Sequence, residues 1–250
     1  MTSNKDQQNT IEIADKDQLT RADKAILGKC GIFCGACDAY LGKAKAHAKE
    51  LFENLGLSEE KVKNAAEHLL EVMDQVNYDD GIGCFFLGVN TKQYQSFKRI
   101  LKIIAEEKIP SKENSEYEDF KDFQRVLRKF VGSPNCLGCG AGAGVAKSCP
   151  IAICCEERGY LTCAECPDIQ LFHMCRTILE KQIPSMITDN CTYFRLITRR
   201  YMNWNVENLK KIIRKGYKKY IDEMREKVQK GFYAGQVISK EPVFKNLLGF

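Results

Sequence analysis

Apolar residues return every three or four positions through most of this chain, which is the period of a helix that buries one face. After an alanine-rich stretch from Asp38 to Phe52, with Asp38 as its expected N-cap, Ser58 opens a second helix. Glu59 and Glu60 stand in its first turn, and Val62, Ala65, Leu69, Met73 and Val76 form its apolar stripe. A third helix carries Tyr94, Phe97, Leu101 and Ile104 and is stopped by Pro110. A fourth carries Tyr117, Phe120, Leu127 and Phe130 and ends at Gly132-Ser-Pro-Asn. Between the second and third, Asn77-Tyr-Asp-Asp-Gly-Ile-Gly reads as a turn and Cys84-Phe-Phe-Leu as a short buried run. Further on, Leu171, Cys175, Ile178 and Leu179 mark an amphipathic helix ending near Pro184. Residues 187–230 read as two or three helices broken around Asn203–Asn205 and at Gly216, and the tail GFYAGQVISKEPVF as a strand or a surface segment. No βαβ unit recurs. The pattern predicts a mostly α protein, a single compact domain of helices with irregular cysteine-rich loops. Its segments are a flexible N-terminal tail over 1–22, a cysteine-rich helical region over 23–192 and a basic helical extension over 193–250.

Composition narrows this picture. With 44% apolar and 28% charged residues the chain has the balance of a soluble globular protein. It holds no run of about 18 apolar residues, so no membrane span is expected. The first 24 residues carry acids throughout and no apolar core of a signal peptide, which predicts a cytoplasmic protein whose thiols stay reduced. Charge is uneven. The net charge is +5, yet Arg195–Lys230 alone holds twelve Lys and Arg against four Asp and Glu, so the remainder sums to −3.

Thirteen cysteines are the chemical signal, and eight of them fall between Cys136 and Cys175. Cys136-x2-Cys139 and Cys163-x2-Cys166 form two pairs, a spacing that lets one loop supply two ligands to one metal centre. Alone, they suit a four-cysteine zinc site. Cys149 and the adjacent Cys154 and Cys155 lie between them, which is more thiol than one zinc needs. Cys149-Pro150 and Cys166-Pro167 also repeat the Cys-Pro ending of bacterial iron–sulfur runs. Glycines at 138, 140, 142 and 144 permit close backbone approach, and no Gly-Lys-Ser/Thr accompanies them as in a phosphate loop.

Upstream, Cys30-x3-Cys34-x2-Cys37 offers three more ligands, with Cys84 in Gly-Ile-Gly-Cys a candidate fourth. This is the spacing of radical S-adenosylmethionine enzymes. However, Ala36 replaces their usual aromatic residue, and 98 residues separate Cys37 from Cys136 where a barrel needs about 200. An enzyme of that kind is the lesser alternative.

Taken in order, CGIFCGACDAY, Cys136-Leu-Gly-Cys139, Cys149-Pro-Ile-Ala-Ile-Cys154-Cys155 and Cys163-Ala-Glu-Cys166-Pro resemble the cysteine-rich domain-of-unknown-function 3795 family over about residues 28–180. The C-terminal RYMNWNVENLKKI…KGF is similar to an extension of prokaryotic, often anaerobic, members. The resemblance implies a zinc or iron–sulfur protein of prokaryotic cytoplasm and brings no established reaction. Where the family often has a further cysteine about five positions after the last pair, the next one here is Cys175, nine on.

Expected metal ligands are therefore Cys30, Cys34, Cys37, Cys84, Cys136, Cys139, Cys149, Cys154, Cys163 and Cys166, with Cys155 and Cys175 undecided. The expected cofactor is one or two iron–sulfur clusters of the 4Fe–4S kind, with zinc as the alternative. His47 and His68 read as solvated or packed helix residues, and His173 as a weak candidate ligand. Asp79-Asp80 and Glu156-Glu157 read as turn and helix-start acids without a partner base. The leading function is electron transfer, or a redox accessory role to an anaerobic enzyme. The alternative is a zinc-stabilised interaction module. The basic stretch Arg195–Lys230 would meet an acidic redox partner, with nucleic acid a less favoured target.

Overall fold

A computed structural model describes residues 12–76, 87, 89–106, 117–143, 147, 149–167 and 190–241. Among these residues the regular structure is helical, and the only β pairing is a single antiparallel bridge between Leu27 and Phe33. The mostly α class read from the periodicity is the class observed. We number the α-helices in chain order as α1 Arg21–Ala25, α2 Asp38–Leu41, α3 Lys43–Asn54, α4 Glu59–Gln75, α5 Thr91–Ala105, α6 Tyr117–Gly132, α7 Pro150–Glu157, α8 Asn190–Arg200, α9 Trp204–Lys215 and α10 Tyr217–Gln229. They belong to two compact units: Met1–Ala36 with Leu137–Phe232, and Cys37–Cys136 with Tyr233–Phe250.

The second unit is built on α3, α4, α5 and α6. Helix α3 packs on α4 and α6, and α4 packs on α5, which packs in turn on α6. Ala44, Ala48 and Leu51 from α3 meet Val62, Ala65, Ala66, Leu69 and Met73 from α4. The alanines let these two backbones come close. Tyr94, Phe97, Leu101 and Ile104 from α5 close the core with Phe123, Leu127 and Phe130 from α6, and the Phe97 and Phe123 rings stack at 5.3 Å. The apolar stripes read for α4 and α5 are the stripes buried here, and Leu127 and Phe130 of the one read for α6 are buried with them. Helix starts are set by side chains: Ser58 accepts from the Lys61 amide, and Asn90 and Gln93 form a reciprocal capping box. One start differs from expectation. Cys37 occupies the N-cap of α2, while Asp38 is its first helical residue and accepts instead from the Ala44 amide at 3.1 Å. Gly42, in the left-handed region, separates α2 from α3.

In the first unit short helices and tight turns replace a large apolar bundle. Helix α7 packs on α8, α8 on α9 and α9 on α10. The breaks expected near Asn203 and at Gly216 are observed, with Asn203 in the left-handed region and Gly216 between α9 and α10. At Gly216, both carboxylate oxygens of Asp15 accept from the first amides of α10, Tyr217 at 2.9 Å and Lys218 at 2.7 Å. Glu156 and Glu157, expected at a helix start, lie at the end of α7 because Pro150 begins that helix six residues earlier. The tail forms a 3-10 turn at Ala234–Val237 rather than a strand over its described part. The turn at 77–83, Cys84 and the expected helix carrying Leu171, Cys175 and Leu179 lie outside the described residues.

Candidate metal centre

Four separate segments of the first unit deliver thiols to one region. The first is the loop after α1. Its neck is closed by the Gly28 amide on the Ile32 carbonyl at 2.8 Å and the Cys34 amide on the Ile26 carbonyl at 2.8 Å. This loop carries Cys30 and Cys34, and helix α9 holds it from below. The Asn208 side-chain amide donates to the Gly31 carbonyl at 2.9 Å and that of Asn205 to the Cys30 carbonyl at 3.3 Å. Gly31 lies at φ +91°, and any Cβ there would run into the Asn205 carbonyl and the Leu209 side chain. The conformation presenting Cys30 thus requires this glycine.

The second segment is the 3-10 turn Cys139–Ala141, which rests on α1. Gly140 touches the Lys24 carbonyl so closely that a side chain has no room. Of the glycines read as permitting close approach, Gly138 and Gly140 do so against α1, Gly142 has open space around it, and Gly144 lies outside the described residues. The turn aims the Cys139 amide at the Cys34 sulfur, 3.3 Å away. Third comes the N-terminus of α7, where Cys149 is the N-cap and Pro150 the first helical residue. Last is the turn Cys163–Glu165, whose Cys163 amide donates to the Lys29 carbonyl at 2.8 Å.

These segments place Cys30 within electrostatic reach of Cys139, Cys149 and Cys163, and Cys149 within reach of Cys155. The Cys155 and Cys163 sulfurs are 3.7 Å apart, and Cys163 also senses Cys166. Burial pushes the Cys30 thiol far above its ordinary range, against a hydrogen bond from the Ile32 backbone. Burial likewise raises Cys149, although the Ala152 and Ile151 amides at the start of α7 pull the other way. Cys139 is lowered by its hydrogen bond with Cys34, and Cys155 by its bond with Cys163, whose own value rises. Lys29 and Arg158 add positive charge near Cys155. Enclosed thiols of this kind shed protons when a cation replaces them, so metal loading releases protons and strengthens as pH rises.

Of the ten expected ligands, Cys30, Cys34, Cys139, Cys149, Cys163 and Cys166 come together. Cys37 and Cys136 belong to the second unit, where the Cys136 amide donates to the Ala39 carbonyl at 2.9 Å, two residues beyond Cys37. Cys154, also on α7, is half-buried. Its neighbour Cys155, 2% exposed, is the one α7 directs inward. In sequence the two are indistinguishable; the helix phase from Ile151 and Ala152, both buried with Cys155, is the signal that separates them.

Two further side chains frame the site. Glu165, within the Cys163–Cys166 turn, accepts from the Lys16 ammonium at 2.5 Å, the Leu161 amide at 2.9 Å and the Tyr217 hydroxyl at 2.7 Å. Tyr220 of α10 is 1% exposed, meets Phe33 edge-on at 6.0 Å, and senses Cys34 and Cys30. Its hydroxyl finds no hydrogen-bond partner among the described residues. A buried donor left unsatisfied is costly, and beside two thiols its natural acceptor is a metal-bound sulfur. By that measure the pocket fits a sulfur-ligated metal group.

The arrangement is that of a helical, cysteine-lined protein with a sulfur-rich centre. The sequence matches the family described as "Protein of unknown function (DUF3795)" over residues 26–179, more than half of the chain, and the protein belongs to that family. No curated protein and no solved structure gives a significant match. Among the described residues no helix is long and apolar enough to cross a membrane.

Proposed function

We propose that this protein is an iron–sulfur protein working in electron transfer, either as a carrier or as a redox accessory to another enzyme. The observation that carries the reading is the spread of the thiols. Around a single tetrahedral zinc, thiolate sulfurs sit about 3.8 Å apart. Among the described residues no three of the thiols lie within 4.8 Å of one another, although seven of them share one region. A multi-iron cluster spreads its thiolates wider than one ion does. Cys30, Cys34, Cys139, Cys149, Cys155, Cys163 and Cys166 are the residues that would hold it. When bound, such a cluster supplies one-electron redox capacity. The protein's own part is to fix the thiols on four short segments and to shield Cys34 and Cys155 from water. The Cys139 amide donates toward the Cys34 sulfur, and the Tyr220 hydroxyl would donate toward a bound sulfur, a standard means of raising reduction potential.

The basic stretch begins in α8 and runs through α9 and α10. Several of its cations are held locally, Lys210 by Glu207 at 2.8 Å, Lys215 by Glu223 at 2.7 Å and Lys218 by Asp222 at 2.7 Å. Burial, and after it the neighbouring Lys227 and Lys215, lower the Lys211 value, while Glu207 and Glu223 pull the other way. This face suits an acidic redox partner, and association with it should weaken as salt rises.

A second reading, a zinc-stabilised interaction module, has one observation in its favour: the 3.7 Å separation of Cys155 and Cys163 is the thiolate spacing of a tetrahedral ion. Metal and sulfide analysis of protein purified without oxygen separates the two. Iron and acid-labile sulfide in equal amounts, with visible absorption bleached by dithionite, are expected. Zinc without iron would overturn the electron-transfer reading.

A further inference from the structure

The second unit carries a cluster of ligand atoms far from cysteine in sequence. The chain has only three histidines, and two of them, His47 on α3 and His68 on α4, meet across the packed helix pair with ring centroids 5.3 Å apart. Glu50 follows His47 by three positions, which puts it on the same face of α3. Its Oε2 stands 3.6 Å from His47 Nδ1, and one ligand atom from each of the three residues lies within 4.8 Å of the others.

The meeting stands at the rim of the α3–α4 contact, outside its apolar core. The apolar contact between α3 and α4 is made by Ala44, Ala48, Leu51, Val62, Ala65 and Leu69, while Glu50 and His68 are exposed and His47 is half-buried. The 3.6 Å approach of His47 and Glu50 is too long for a hydrogen bond and is an ion pair only when the imidazole carries a proton. Two imidazoles and one carboxylate are instead a recurrent donor set for zinc, which takes three protein ligands and leaves a fourth position to water. Ligand atoms around such an ion are separated by about 3.3 Å. Exposed side chains reach that spacing from 4.8 Å by small torsional changes, with both helix backbones held in place by the core beneath.

We propose that His47, Glu50 and His68 form a divalent-cation site, with zinc as the fitting ion, that clips α3 to α4 and keeps one coordination position open to solvent. It uses no cysteine and so is independent of what the thiol centre holds.

The test is equilibrium dialysis of the full-length protein, as isolated with its own metal content, against micromolar zinc. Zinc, iron and sulfide are counted together for the wild type and for His47→Ala, His68→Ala and Glu50→Gln. Wild-type protein is expected to take up one zinc more than His68→Ala or His47→Ala, with iron and sulfide unchanged. Glu50→Gln is expected to bind that zinc at least tenfold more weakly. Zinc should also raise the thermal midpoint of the wild type more than that of His68→Ala, and this difference is free of any contribution from thiols common to both proteins. Equal zinc uptake and equal thermal response in the wild type and both histidine variants would overturn the proposal. The three positions lie on helix surfaces, so the variants keep their core contacts, and a circular dichroism melt without zinc verifies this.

Discussion

Removing Glu165 should cost more stability than removing any other charged side chain near the thiols. The residue is 2% exposed and accepts three hydrogen bonds, from Lys16, Leu161 and Tyr217. Glu165→Ala strands the Leu161 amide in the interior, at about 1–3 kcal/mol. The Tyr217 hydroxyl loses a charged acceptor but keeps Thr162 at 3.0 Å, which limits its share. Lys16 is a third exposed and also donates to the Gly159 carbonyl at 2.9 Å, so it rehydrates in part and its charge term is discounted accordingly. Together these give about 3–5 kcal/mol, the range for breaking a buried pair, or a fall of roughly 10 °C in the thermal midpoint for a chain of this size. Glu165→Gln, which can still accept from Leu161 and Tyr217, should cost about half as much. Urea melts of both variants and of Lys16→Met, combined in a double-mutant cycle, provide the measurement. A loss below about 1 kcal/mol for Glu165→Ala, or no coupling to Lys16, would refute the view that this carboxylate fixes the N-terminal segment and α10 to the Cys163–Cys166 turn.

Three further outcomes are expected. Tyr220→Phe should leave iron content unchanged but make the reduction potential more negative by about 40 mV, the one-electron equivalent of a hydrogen bond worth ~1 kcal/mol; protein-film voltammetry reads it, and an unchanged potential removes the hydroxyl from the sulfur environment. Gly140→Ala places a methyl on the Lys24 carbonyl and should cost more than about 2 kcal/mol and lose bound metal, whereas Gly142→Ala, at φ +71° with open space around it, should cost only about 1 kcal/mol of backbone strain. At Asp23, burial raises the carboxyl value, but hydrogen bonds from Thr20 and the Arg225 guanidinium at 2.8 Å outweigh it and hold the group below its ordinary range. The resulting stabilisation is present above the unfolded value near pH 4 and lost as pH falls through the depressed one. Asp23→Asn should therefore cost about 1 kcal/mol in urea melts at pH 7, and progressively less as the pH is taken below 4.

Local chemistry was legible in the sequence. A 3.6-residue period needs only neighbours to be visible, so α4, α5 and α6 and their buried faces, with the caps at Ser58 and the breaks at Asn203 and Gly216, follow from the order of residues. The density and spacing of cysteines likewise marked the region of the centre and the family it belongs to. Other features depend on contacts between residues far apart in the chain, to which no local pattern points. The phase of α7 turns Cys155 rather than Cys154 toward Cys163. The pairing of Lys16 with Glu165 spans 149 positions, and that of Asn208 with the Gly31 carbonyl spans 177. His47 and His68, which look like ordinary surface residues on separate helices, become one set of ligands only when α3 and α4 pack. Sequence fixes what each short segment can form, because backbone propensity and hydrophobic period act over a few residues. Which side chains meet is decided by tertiary packing, because burial of the helix faces sets the register in which distant segments come together.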